Sequence, residues 1–164
     1  MKYLGIDQAL QTTGFAIFDN CNLIDYGTFT IPANKAIDMR LGAIWKKLDD
    51  LRVHYDGFDY VFFEDCQQQS NAQTYHKLSM VKATVLLWCY FNDIKYSCYA
   101  PSHWRSELKT KYGIAFGRSR AEQKQKAREL IKQIYNIDVD EDTADAICIG
   151  TCGIQEKEKN RSAF

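Results

Sequence analysis

The chain has 164 residues, 46% of them apolar and 13% aromatic, which suits one globular domain with an ordinary core and excludes disorder or a multi-domain assembly as readings. Lysine plus arginine and aspartate plus glutamate both number 21, so the net charge is zero and no global excess attracts a polyanion. The zero conceals a segregation: Arg105 to Lys132 carries nine cations against three anions, while residues 1–100 and 134–164 are each net acidic. One basic surface is therefore expected from that middle segment. Nothing at the N-terminus resembles a charged leader with an apolar stretch, and no apolar run approaches the ~20 residues of a membrane span. A soluble, cytoplasmic protein with no membrane partner is expected. The six cysteines (Cys21, Cys66, Cys89, Cys98, Cys148, Cys152) form no C-x-x-C pair and the histidines (His54, His76, His103) are scattered. Free buried thiols are expected, with neither a disulfide framework nor a structural zinc site.

In chain order, Tyr3 to Asp7 reads as a short apolar strand ending in an acid. A polar, turn-like stretch Gln8–Thr13 precedes Gly14, followed by strands at Phe15–Phe18 and Leu23–Ile31 separated by an Asp19-Asn20 turn. Apolar residues from Ile37 to Leu51 recur at spacings of three and four, which predicts an amphipathic helix over 37–54. Tyr60–Phe63 is a buried-strand run, 66–74 a glutamine-rich loop, and Tyr75–Tyr90 a helix apolar around much of its circumference, part of it suited to a dimer contact. Lys95–Tyr99 is a fifth strand. A short helix N-capped by Ser102 runs to about Leu108, and a basic loop Lys109–Arg118 leads to a helix over 119–135 with Ser119 and Glu122 in capping-box register. A last helix spans about 140–154 before a charged tail expected to fray. The fold class is α/β: a five-stranded mixed sheet, an antiparallel meander plus parallel strands, flanked by helices. The domain is expected over 1–155, with 156–164 as the tail.

Asp7 ends the first strand, Glu64 follows the fourth, and Asp142 and Asp145 stand at i, i+3 near the start of the last helix. Taken singly, each is most simply a solvated turn acid or a helix-dipole cap. Together they form one site if the first and fourth strands are neighbours and the helix packs over their ends through Ala144, Ala146, Ile147 and Ile149. Four clustered carboxylates need protons or cations, and hard oxygen donors select Mg²⁺ or Mn²⁺. Two such ions roughly 3.5–4 Å apart hydrolyse phosphodiesters. In that scheme Asp7 bridges, Glu64 and Asp145 complete the shells, and Asp142 is a ligand or orients water.

The segment Gly5-Ile6-Asp7-Gln8-Ala9-Leu10-Gln11-Thr12-Thr13-Gly14-Phe15-Ala16 resembles the first motif of RuvC-like Holliday-junction resolvases of the RNase H-like superfamily. Val61-Phe62-Phe63-Glu64, Tyr99-Ala100-Pro101 with its following basic helix, and Asp142-Thr143-Ala144-Asp145-Ala146 keep the family's order and spacing. The small size looks most similar to the bacteriophage branch, lactococcal phages included, which would place the protein in the host bacterial cytoplasm. The resemblance implies a homodimeric, Mg²⁺-dependent endonuclease on branched DNA with Asp7, Glu64, Asp142 and Asp145 as its acidic tetrad. It also sets Arg105 and Arg120 near the scissile phosphate. With Lys109, Lys111, Arg118 and Lys124 they are the expected DNA contacts, against the simpler reading of a solvated helix face in which Arg120, Lys124 and Arg128 repeat at i+4. Bacterial members carry an aromatic wedge soon after the second acid. Here that stretch reads Asp65-Cys66-Gln67-Gln68-Gln69, and no aromatic appears before Tyr75. Relaxed sequence preference and cleavage of three-way as well as four-way branches are therefore expected. The alternatives are a nuclease of this fold acting on RNA–DNA hybrids or flaps, a non-catalytic nucleic-acid-binding module, and an actin-like phosphate loop, which 164 residues are too few to complete.

Overall fold

A computed structural model describes residues 1–67 and 71–162. Five strands, β1 (Lys2–Asp7), β2 (Thr12–Asp19), β3 (Asn22–Thr30), β4 (Tyr60–Glu64) and β5 (Lys95–Tyr99), form one sheet in the order β3-β2-β1-β4-β5. β1–β2 and β2–β3 pair antiparallel, and β1–β4 and β4–β5 pair parallel, as the expected mixed sheet requires. β1 thus lies beside β4, with Ile6 opposite Phe63.

Alternation along the strands assigns every side chain to one of two layers. Leu4 and Ile6 of β1 and Val61 and Phe63 of β4 face α1 (Ile37–His54) and α2 (Ala72–Phe91), where Ile44, Leu48, Val81, Val85 and Trp88 fill the core. Tyr3 and Phe62 face the other layer, made by α3 (Pro101–Tyr112), α4 (Arg120–Tyr135) and α5 (Glu141–Ser162), with Trp104, Leu130, Ile147 and Cys152 buried among them. The same parity carries Asp7 and Glu64 to the α5 side. Helix α5 lies directly on β1: a Cβ on Gly5 would stand 2.5 Å from the Ala146 carbonyl oxygen and 2.9 Å from Gly150 Cα. At Gly14 of β2 a Cβ would overlap the Asp142 carbonyl. The motif glycines therefore let the acidic end of α5 reach the strand ends.

Several boundaries differ from the sequence-based expectation. β2 begins at Thr12, inside the predicted turn, because the Thr13 hydroxyl bonds the Ala9 carbonyl at 2.9 Å while its backbone is already in register with Phe29. α2 begins at Ala72, where the Asn71 side chain accepts from the backbone N–H of Gln73 and Thr74. The glutamine-rich loop predicted over 66–74 lies partly outside the described residues, at 68–70. α3 starts with Pro101 in its first turn, where a missing N–H costs nothing, rather than from a Ser102 cap. It continues to Tyr112 and ends at Gly113 in the left-handed region, φ 73°, so the first four residues of the expected basic loop are helical. The Ser119–Glu122 capping box of α4 forms as predicted. α5 runs to Ser162, past both Ile154 and the expected domain boundary, and residues 163–164 of the tail lie outside the described residues. The cysteines are free, but only Cys89, Cys148 and Cys152 are buried; Cys66 and Cys98 are half-buried and Cys21 is exposed. Among the described residues no helix is long and apolar enough to cross a membrane.

Candidate active site

The acids predicted to converge do so, three of them around a single lysine and Glu64 within electrostatic reach of the group. Lys124 Nζ of α4 lies 2.6 Å from Asp145 Oδ2, 3.1 Å from Asp142 Oδ1 and 3.5 Å from Asp7 Oδ2. Its side chain reaches this position because Ala127, Leu130 and Ile131 bury the opposite turns of α4 in the core, and Lys124 itself is only 9% exposed. The i+4 row Arg120, Lys124, Arg128 is therefore not one solvated face. Lys124 points inward, the exposed Arg128 donates through Nε to the Val139 carbonyl at 2.9 Å, and Arg120 is exposed in the first turn. Sequence reasoning placed Lys124 among surface phosphate contacts; docking of α4 against α5 puts it inside the cluster.

Glu64 is held by two residues that sequence reasoning did not assign to the site. The buried Gln8 side chain donates through Nε2 to the Glu64 carbonyl and accepts from the Glu64 N–H at 3.1 Å, so one amide extends the β1–β4 pairing past Asp7. The carboxylate itself accepts from Trp104 Nε1 at 2.9 Å. The signal for Gln8 was its place directly after the strand-end acid, where a side-chain amide can replace a backbone pair; Trp104 carried no signal distinct from a core residue. At α5, Asp140 takes the cap: its carboxylate accepts from the Thr143 N–H at 2.9 Å and from the Thr143 hydroxyl at 2.6 Å. That relieves the first-turn Asp142 of the capping role that such an acid normally fills.

Burial and mutual repulsion dominate the electrostatics. Desolvation first, then Asp145, Glu64 and Asp142, push Asp7 up to about 7 despite the opposing pull of Lys124. Desolvation also raises Glu64 above its ordinary range, against the Trp104 hydrogen bond and the nearby Arg105, and raises Asp145 against Lys124. Burial alone would depress the Lys124 ammonium, but Asp145 and then Asp7 outweigh it, and its net shift is upward. One ammonium among four acids leaves the cluster strongly electronegative, and hard carboxylate oxygens in excess are the donor set that divalent Mg²⁺ or Mn²⁺ prefers.

Beside the cluster a cleft of ≈ 670 Å³ opens between α3 and the segment leading into α4, lined among others by Arg105, Lys109, Phe116, Arg118 and Gln123. The Arg105 guanidinium stacks 4.5 Å from the Trp104 ring centroid, and its Nε is buried without a hydrogen-bond partner among the described residues. Lys111 lies elsewhere on α3, over the Tyr112 ring at 5.4 Å. The structure thus gathers Arg105, Lys109 and Arg118 at one cleft and leaves Lys111 and Arg120 outside its lining.

A sheet of this order, with acids at the ends of two adjacent parallel strands and on the helix across them, is the RNase H-like nuclease arrangement that the motifs imply. The family model for crossover junction endodeoxyribonuclease RuvC matches residues 3–153, and the chain belongs to that family. A curated relative of that name from Clostridioides difficile is 27% identical over 157 residues, covering 93% of this chain and 89% of the relative. Another from Caldanaerobacter subterraneus subsp. tengcongensis is 28% identical over 159 residues, covering 93% and 91%. Among solved structures, T. thermophilus RuvC in complex with a Holliday junction substrate superposes with a TM-score of 0.77 at 13% identity, covering 96% of both chains. The Fowlpox virus resolvase, in complex with substrate Holliday junction DNA, superposes with a TM-score of 0.60 at 15% identity, covering 96% of this chain and 99% of that one. These two likenesses establish the shared fold.

Proposed function

We propose that the chain is a structure-selective endonuclease that hydrolyses phosphodiester bonds in branched DNA, four-way and three-way junctions alike, in the cytoplasm. The observation that carries this reading is the convergence of three carboxylates on one buried ammonium, with Glu64 within electrostatic reach of them, beside a cationic cleft. Asp7, Glu64, Asp142 and Asp145 are the catalytic acids and would hold Mg²⁺, two ions per site, with Mn²⁺ as a substitute. When bound, the metal would polarise the scissile phosphate and acidify the attacking water. The protein's own residues prepare the site: Gln8 fixes the Glu64 backbone, and Trp104 fixes its carboxylate. Lys124 offsets part of the acids' charge until they are engaged and then has N–H groups available for a phosphate oxygen. Arg105, Lys109 and Arg118 contact the DNA backbone along the cleft, and the exposed Lys111 and Arg120 are further contacts outside it. Arginine adds a bidentate fork for phosphate to the bare charge. Between Glu64 and Tyr75 no aromatic is available to insert between bases, which supports relaxed sequence preference.

The working unit we propose is a homodimer. Leu87, Tyr90 and Phe91 at the end of α2 and Tyr96 on edge strand β5 are exposed, 47–75% each, and Leu87, Tyr90 and Tyr96 line one shallow depression. A four-way junction presents equivalent strands in pairs, and a two-fold dimer sets one active site on each.

Cleavage of sequence-matched four-way, three-way, flap, linear duplex and RNA–DNA hybrid substrates in Mg²⁺ tests this function. Junctions are expected to be cut well above linear duplex and hybrid. Asp7→Asn is expected to lose cleavage by several orders of magnitude while retaining junction binding. Equal cutting of linear duplex, or preferred cutting of the hybrid, would overturn the junction reading.

A further inference from the structure

Away from the acidic cluster, on the outer side of the α3–α5 contact, three potential metal ligands of different chemistry meet. His103 Nε2 stands 2.6 Å from Glu156 Oε1, and with Cys152 Sγ these ligand atoms all lie within 4.8 Å of one another. A tetrahedral zinc ion with bonds of about 2.0–2.3 Å sets its ligand atoms roughly 3.3–3.6 Å apart, so small side-chain rotations suffice to close the trio around one ion. Cys152 and Glu156 are one turn apart on α5 and share a face. Glu107, one turn beyond His103 on α3, stands within electrostatic reach of Cys152 and offers a fourth donor; its carboxylate is 2.6 Å from Lys159 Nζ. Outside the ligands, the Tyr99 hydroxyl lies within electrostatic reach of Glu156, and the Tyr99 ring stacks on the His103 imidazole at 5.4 Å and 15°. Such contacts orient ligating side chains and support metal affinity. His103 is exposed while Cys152 is buried, which gives an ion an entry side and a protected thiolate.

We propose that His103, Cys152 and Glu156 form a second metal site, for Zn²⁺ or a comparable late transition-metal ion, with Glu107 or water as the fourth ligand. Imidazole, thiolate and carboxylate together favour such an ion over Mg²⁺, which demands near-octahedral oxygen coordination. Binding expels the Cys152 thiol proton to solvent and takes His103 in its neutral form. The site lies two to three helical turns from Asp145 on α5, about 10–16 Å along the axis, so its ion does not serve the hydrolytic centre directly. It ties the first turn of α3 to α5, next to Trp104, which holds Glu64. The pattern escapes sequence spacing because each helix supplies half of it.

The test is a Co²⁺ titration of the chelator-stripped full chain in excess Mg²⁺, which fills the acidic cluster, followed by Zn²⁺ displacement. A thiolate-to-cobalt charge-transfer absorption is expected to saturate at one Co²⁺ per chain, bleach with Zn²⁺, and persist in Asp7→Asn. Cys152→Ser removes the band. His103→Ala alters an exposed side chain and leaves the fold intact by circular dichroism; it is expected to weaken Co²⁺ binding at least about tenfold and to abolish the Zn²⁺-dependent rise in melting temperature. Absence of the thiolate band in the wild-type chain, or unchanged affinity in His103→Ala, reduces the trio to a His–Glu ion pair beside a buried thiol and overturns the proposal. Loss of the band in Asp7→Asn overturns it too, by placing the ion at the acidic cluster.

Discussion

A carboxylate at the end of a buried strand has little water to share its charge, and Asp7, crowded by Asp145, Glu64 and Asp142, is raised from 3.8 to about 7. The metal-free folded protein therefore keeps a proton that the unfolded chain releases near pH 4. Stability linked to that proton is complete below the unfolded value and is lost as pH rises toward 7. Thermal melts of chelated protein are expected to show a falling midpoint between about pH 4 and 7, with Glu64 and Asp145 acting in the same direction. Asp7→Asn should flatten that decline and raise the midpoint at pH 7, and Mg²⁺ should raise the wild-type midpoint more than that of the variant. A profile identical in both proteins would mean that Asp7 is solvated and ionised. The four acids were legible in the sequence because each stands at a strand end or within the first two turns of a helix. Lys124 was not, because an i+4 row of cations reads as a solvated face until the docking of α4 decides which member turns inward. Trp104 was equally silent, since one indole nitrogen aimed at Glu64 leaves no trace in an apolar pattern.

At the scale of elements, the α5–sheet contact sets where Asp142 stands. Gly14→Ala inserts a methyl against the Asp142 carbonyl, backbone against backbone, which no rotamer relieves. The expected cost is about 1–3 kcal/mol by denaturant unfolding, with junction cleavage reduced more than junction binding because the displaced residue belongs to the acidic cluster. Gly42 in α1 is the control: a Cβ there meets nothing within 4 Å, so Gly42→Ala should stabilise by about 0.5–1 kcal/mol and leave cleavage unchanged. Equal effects at the two positions would refute the close-approach account. The core of each element was legible from periodicity, and α1 and β5 keep their predicted limits. The ends depended on partners far away in sequence. The tail after Ile154 reads as a fraying charged segment, yet Glu156 meets His103, Lys157 lies 3.7 Å over the Tyr60 ring, and Lys159 pairs with Glu107, so α5 continues along α3 and the sheet.

For the whole molecule, the zero net charge is a cancellation between regions with different tasks. Part of the cationic excess of residues 105–132 is spent internally, on Lys124 among the acids, Lys126 with Glu129 and Lys132 with Asp138. What remains for the proposed DNA contact is chiefly Arg105, Lys109 and Arg118 at the cleft. Arg118→Ala is therefore expected to weaken junction binding and make its salt dependence shallower by roughly one counterion, whereas Lys132→Ala should leave the slope unchanged. In the proposed homodimer, assembly decides how these sites are used. One chain presents one acidic cluster, and paired incision of a four-way junction needs a partner held at fixed spacing. Tyr90 is 75% exposed at the end of α2, so Tyr90→Glu disturbs no packed core. It is expected to shift sedimentation from dimer to monomer at micromolar concentration, leave the melting curve of the monomer cooperative, and convert coordinated double incision into single nicks. A wild-type chain that sediments as a monomer with or without junction DNA would break the link between this apolar surface and paired cutting, while leaving the carboxylate chemistry of each chain intact.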